Sequence, residues 1–265
     1  MKGDFPMANK HHVYWYRHHI VNIIMIVDSK TSDWILIDTG LFYSEAFILK
    51  KIRRVLGELI PPKAIILTHG HFDHVGALRP LLQRFPNVPV YAHELELPFL
   101  TGQRHYVKPD PSVPGGLMAK LAWLYPYHAY DFSRIICPLP DDGTLPFFTD
   151  WRWIHTPGHT EGHVSLFRPS DRFLIAGDAF TTVKQESLLS VLAQKKEIHG
   201  PPAYFTPDWE LAKTSVETLQ KLEPAFAVTG HGQMMEGSSL HSGLKRLISQ
   251  FEQVAVPDHG RYVPE

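Results

Sequence analysis

The sequence predicts a mixed α/β fold, and three observations point to it. Short apolar runs of strand length recur along the chain. Residues 64–67, a helically periodic segment at 75–82 and residues 88–92 make a β-α-β unit, so part of a sheet is expected to be parallel. Farther on, residues 135–136, 144–148, 151–155, 164–167 and 173–176 read as short strands. Asp141-Asp142-Gly143 and Pro169-Ser170-Asp171 are turn signals between them, the pattern of an antiparallel meander.

The elements follow in order. Residues 1–10 read as a loose terminus. Residues 11–16 are strand formers, and 20–27 and 34–37 are apolar runs joined through Asp28-Ser29-Lys30 as a hairpin. His11, His12, His18 and His19 read as strand-face or surface histidines rather than metal ligands. Ser44 is placed to cap a helix reaching about residue 56, with Phe47, Ile48, Ile52, Val55 and Leu56 on one face and Gly57 at its end. Pro61-Pro62 reset the chain before the strand 64–67.

Periodicity fades over residues 101–134, which hold several prolines and glycines and then Trp123, Tyr125, Tyr127, Tyr130 and Phe132. The aromatic content argues against disorder. A lid or pocket wall and a peripheral packed helix are equal expectations for it. Residues 180–207 form a second irregular region with a helix at 187–195. Pro207-Asp208 then opens an amphipathic helix to about 222, residues 225–228 make a strand, and 237–251 make a closing helix. No tandem repeat or low-complexity linker divides the chain, so one domain over 1–265 is expected.

Composition bounds the function. With 26 basic and 27 acidic residues there is no global field to attract nucleic acid or an anionic membrane. The apolar run 20–27 lies too deep for a signal peptide, and no run approaches the roughly 18 apolar residues of a membrane span. A cytoplasmic protein acting on a small molecule, without nucleic acid or membrane as partner, is expected. The single cysteine, Cys137, leaves no internal disulfide and is expected to be a buried structural thiol.

The chemistry lies in Thr68-His69-Gly70-His71-Phe72-Asp73-His74, where three His and one Asp fall within six residues directly after an apolar strand. In an extended loop, residues two apart point the same way, so His69 and His71 can converge on one ion. Asp73 and His74 follow where the chain turns into a helix, whose positive end favours the anion, and can face a second ion. His159, Asp178 and His231 each follow an apolar strand and are flanked by glycine. Together these five His and two Asp are enough for two divalent ions. Imidazole with carboxylate suits zinc first, and also iron or manganese.

The chain resembles the metallo-β-lactamase superfamily. The resemblance rests on the run at 68–74, on Pro157-Gly158-His159-Thr160-Glu161-Gly162-His163, on Gly177-Asp178 and on Gly230-His231-Gly232, in that order. Asp38-Thr39-Gly40 and the strand containing Asn22 also match. It implies an αββα sandwich, with two sheets face to face and helices outside. It implies that His69, His71 and His159 hold one metal, that Asp73, His74 and His231 hold a second, and that Asp178 bridges them. Asp38 would orient ligands from behind, Thr68 and Thr160 would bond their loops, and His163 would start a strand without binding metal. The implied reaction is hydrolysis by a metal-activated hydroxide that Asp73 also orients. The common zinc β-lactamases carry Cys where this chain has Asp178 and lack the His74 equivalent. The full set is similar to glyoxalase II-type thioesterases and acyl-homoserine lactonases, so an ester, thioester or lactone is the expected substrate. The lactonase tyrosine is missing from Asp178-Ala179-Phe180-Thr181. The alternative is a mono-iron enzyme similar to persulfide dioxygenases.

Overall fold

The computed structural model describes residues 2–5 and 11–263, with side chains from residue 11 onward. Strands β1 (Lys2–Phe5), β2 (His11–His18), β3 (Val21–Asp28), β4 (Trp34–Ile37), β5 (Ala64–Ile66), β6 (Val90–Ala92) and β7 (Ile136–Pro138) form one sheet in that spatial order. The first four strands are antiparallel neighbours, and β4 to β7 run parallel. A second sheet contains β8 (Arg152–His155), β9 (Val164–Arg168), β10 (Phe173–Gly177), β11 (Phe226–Thr229) and β12 (Met235–Glu236). Its order is β12-β11-β10-β9-β8, with β10 and β11 parallel and the other pairs antiparallel. The helices are α1 (Glu45–Leu56), α2 (Phe72–Val75), α3 (Leu78–Arg84), α4 (Leu97–Leu100), α5 (Leu117–Lys120), α6 (Leu188–Ala193), α7 (Trp209–Lys221), α8 (Gly237–Ser249) and α9 (Phe251–Val254).

Three apolar layers hold these elements together. Between the sheets, Ile24, Ile26, Ile35, Ile37 and Ile66 meet Leu166, Phe173, Ile175 and Val228. On the far face of the first sheet, Ile23, Met25, Leu36 and Ile65 pack on Ile48 and Ile52 of α1 and Leu78 and Leu81 of α3. On the far face of the second, Leu174, Ala176 and Ala227 pack on Val216 and Leu219 of α7 and Leu240, Leu244 and Leu247 of α8. The result is the expected αββα sandwich. Every residue of β3, β4, β5, β9 and β10 is buried, which is why these strands read as continuous apolar runs.

Several expectations need correction. Within the expected loose terminus, residues 2–5 form β1 against β2, while Met1 and residues 6–10 lie outside the described residues. The helix expected at 75–82 is two short helices broken at Gly76-Ala77. Gly76 N donates to Gly40 O, and a Cβ on Gly76 would strike the backbone of 40–42, so the chain is pinned there. Pro80, with no N–H to give, fits only the first turn of a new helix. Residues 144–148 are not a strand: Thr144 makes an isolated bridge to Arg152, and the segment turns so that Leu145 and Phe148 plug the inter-sheet core. β7 leaves the meander and pairs parallel with β6 in the first sheet. Cys137 on that edge strand is exposed, not buried. Ser44 occupies the α1 N-cap position without capping; its hydroxyl bonds His18 Nδ1 at 2.7 Å.

Candidate metal centre

The ends of four buried strands meet at one edge of the sandwich. β4 delivers Asp38, β5 runs into the His69–His74 loop, β10 ends beside Asp178, and β11 ends before His231. His159 comes from the β8–β9 connection. Asn22 ties the two sheets together here: its side-chain N–H donates to Thr229 O and Gly232 O, both at 2.8 Å. All seven expected ligands are buried. They fall into three mutually close groups: His69, His71 and His159; His69, His74 and Asp178; and Asp73, His74 and His231.

Asp178 sits between them. Its Oδ2 lies 3.6 Å from His159 Nε2, 3.6 Å from His74 Nε2 and 3.1 Å from His231 Nε2. His231 Nε2 is also 3.5 Å from Asp73 Oδ2. One carboxylate oxygen therefore faces nitrogens from both outer groups. Gly230 makes this approach possible, because a Cβ there would collide with Asp178 Oδ1 and His74 Cε1.

The hydrogen bonds behind the histidines set their tautomers. His231 Nδ1 faces the carbonyl of Ile20 at 2.7 Å, which can only accept, so Nδ1 carries the proton. His74 Nδ1 faces the Asp38 carboxylate at 2.8 Å with the same consequence. His159 Nδ1 meets Thr206 Oγ1, whose own hydrogen goes to Pro202 O, so the hydroxyl accepts. His69 Nδ1 meets Thr68 Oγ1, whose hydrogen goes to Asp38 Oδ2. In each neutral ring this leaves an Nε2 lone pair for the centre. His71 instead points Nδ1 inward, 2.9 Å from His159 Nε2.

Asp38 is central to this scaffold. It adopts a positive φ of 56° that Asp tolerates, and also accepts the Thr68 N–H at 2.8 Å. His163 has both ring nitrogens engaged. Its Nδ1 faces the Thr156 carbonyl and its Nε2 accepts the Asp178 N–H at 2.8 Å, so it orients Asp178 and keeps no lone pair for an ion.

Burial and mutual repulsion among the rings hold His69 and His71 well below the ordinary histidine value; burial takes His159 down to about 4. These rings are neutral, ready to donate lone pairs. On the other side burial is overcome: Asp178 and Asp38 raise His74, and Asp178 and Asp73 raise His231. Asp178 is held well below the carboxylate range against its burial by His231 and His74, whereas burial raises Asp73. The Asp178 side thus favours positive charge, which a divalent ion supplies as well as a proton does. Among the described residues, His69 Nε2, His74 Nε2 and Asp178 Oδ1 are buried without a hydrogen-bond partner. Such orphans are costly. The donor set fits divalent metal.

A profile of the metallo-beta-lactamase superfamily matches residues 16–231. The chain belongs to that superfamily. It is similar to "Probable metallo-hydrolase YflN" of Bacillus subtilis (strain 168), 46% identical over 236 residues that cover 89% of each chain. Two solved structures share the superfamily fold with it. One is a peroxy diiron species of the chemotaxis sensor ODP, with TM-score 0.61, 18% identity and coverage of 93% of this chain and 94% of that one. The other is the B3 metallo-beta-lactamase BLEG-1, with TM-score 0.56, 22% identity and coverage of 94% and 97%. Superfamily membership and the buried His/Asp cluster together imply divalent metal and a hydrolase.

Sequence reasoning missed Glu96, Tyr106 and Thr206, which stand behind the cluster. Glu96 is fully buried, yet in the sequence nothing separates it from Glu94, because its partners lie 26 and 66 residues away. His11 lies apart from the centre, paired with Asp150 at 2.7 Å.

Proposed function

We propose that this chain is a binuclear metallohydrolase that opens carboxylic esters, thioesters or lactones. His69, His71 and His159 hold the first ion, Asp73, His74 and His231 hold the second, and Asp178 lies between. The observation that carries this reading is the position of Asp178 Oδ2, at 3.6 Å from one nitrogen of each trio. When bound, the ions supply a water acidic enough to ionise near neutral pH and a Lewis acid for the carbonyl oxygen. Zinc suits this donor set first, with iron or manganese compatible.

The protein's own part is orientation and exclusion of water. Asp38, Thr68, Thr206 and the Ile20 carbonyl aim the imidazoles before any ion arrives, so little reorganisation is needed. Asp73 lines the cavity over the centre, where its carboxylate can accept a proton from the attacking water. Ile20, Phe72, Tyr125, Pro202, Tyr204 and Phe205 make the remaining wall apolar and aromatic. Tyr125 comes from the irregular segment 101–134 and Tyr204 and Phe205 from 180–207, which supports reading both segments as pocket walls within one domain. Burial pushes the Tyr125 phenol up to about 12, so it stays protonated and uncharged at neutral pH. An apolar acyl group fits such a wall better than a phosphodiester does.

A substrate panel tests this. Turnover of aryl esters, acyl thioesters and lactones is expected, with bis-aryl phosphodiesters slower by at least two orders of magnitude. The reverse order would end the carbonyl reading.

A further inference from the structure

We propose that Glu96 is a positioning residue that clamps together the two loops carrying His69, His71 and His159, and so sets the affinity of the first metal position. The inference rests on the binuclear reading above. Glu96 is fully buried, and its two carboxylate oxygens are divided between the two loops. Oε2 accepts the N–H of Gly70, between His69 and His71, at 3.0 Å, and also the hydroxyl of Tyr106. Oε1 accepts the N–H of Gly162 at 3.0 Å and the hydroxyl of Thr160, next to His159. No ion pair to Glu96 occurs among the described residues, and these four donors are the hydrogen bonds that favour its charged form.

Two further features agree. A Cβ on Gly162 would sit 2.6 Å from Glu96 N and 2.8 Å from Glu96 Cγ, and one on Gly70 would collide with the Tyr106 hydroxyl. Glycine on each loop is what lets both backbones close on the carboxylate. Tyr106 also stacks on Phe99 at 4.3 Å and presses its ring on His71 at 4.8 Å, so the clamp reaches a ligand ring. All three histidines of the first trio ride on these loops, whereas Asp73 and His74 of the second lie in α2 and His231 follows β11.

Glu96→Gln keeps the shape and breaks the balance. Each oxygen serves one hydroxyl, which can turn around, and one backbone N–H, which cannot. Whichever way the amide sits, Gly70 or Gly162 then faces N–H rather than oxygen. The experiment is chelator competition on purified holoprotein, with ions per chain read by elemental analysis and folding checked by thermal melting. For Glu96→Gln the expected result is one ion weakened at least tenfold and the other held as in the wild type. In a His159→Ala background the same change should add no further loss. A folded Glu96→Gln protein that keeps both ions with wild-type affinity, or weakens both equally, overturns the clamp. If that variant does not fold, Tyr106→Phe carries the test: about a threefold weakening of one ion supports the clamp, and unchanged affinity overturns it. Wild-type protein that binds no ion overturns the binuclear reading itself, and the clamp with it.

Discussion

At the scale of single residues, the centre is built from the back. Four of the five inward-facing ring nitrogens, those of His69, His74, His159 and His231, have a partner behind them that decides where the proton sits, and three of those partners are neutral oxygen atoms. A histidine outside the cluster shows the same physics without the complication of metal. His93 accepts the Leu95 N–H through Nδ1 and caps the turn that carries Glu96. Burial, with some repulsion from His155, lowers it to about 4. Its folded-state value lies below its unfolded one, so the unfolded chain takes up a proton first as pH falls. The stabilisation is whole above about pH 6.5 and is lost between there and about pH 4. Melting curves of metal-free protein from pH 7 to 4 should therefore fall more steeply for the wild type than for His93→Asn, which keeps an acceptor but does not titrate. Parallel curves would contradict this. The His69–His74 window was legible because its six residues are contiguous and follow a buried strand. The residues behind it were not, because their partnerships are made across the fold.

At the scale of elements, strands position and loops coordinate. The buried strands were legible from their apolar runs, and the turns from Gly, Pro and Asp. Where the reading failed, tertiary contacts overrode local pattern. The 75–82 period is genuine, yet Gly76 must lie against the backbone at 40–42, and one expected helix becomes α2 and α3. Residues 144–148 are apolar-rich and of strand length but spend Leu145 and Phe148 as core plugs. The β11 end gives a sharp test. Gly230 has no unusual backbone requirement; its lack of a side chain is what admits Asp178 and His74. Gly230→Ala should stay folded, lose at least one ion, and lose activity by roughly two orders of magnitude, the upper range for disturbed support of a metal ligand. Wild-type metal content in that variant would show that the close approach does not matter.

At the scale of the molecule, two sheets with two covering layers of helices bring one edge of each sheet to a single centre, and Tyr125, Tyr204 and Phe205 line the cavity over it. The αββα architecture was readable once the motif order was recognised, and the three apolar layers bear it out. Among the described residues no helix is long and apolar enough to cross a membrane. The near balance of 26 basic and 27 acidic residues gives no global steering toward polyanions. The most direct test of the account is elemental analysis of protein purified without added metal, paired with hydrolysis of a thioester and a lactone by the same sample. Two divalent ions per chain with turnover that disappears on chelation and returns on reloading is the predicted result. One iron per chain, with oxygen consumed and neither bond cleaved, would contradict it.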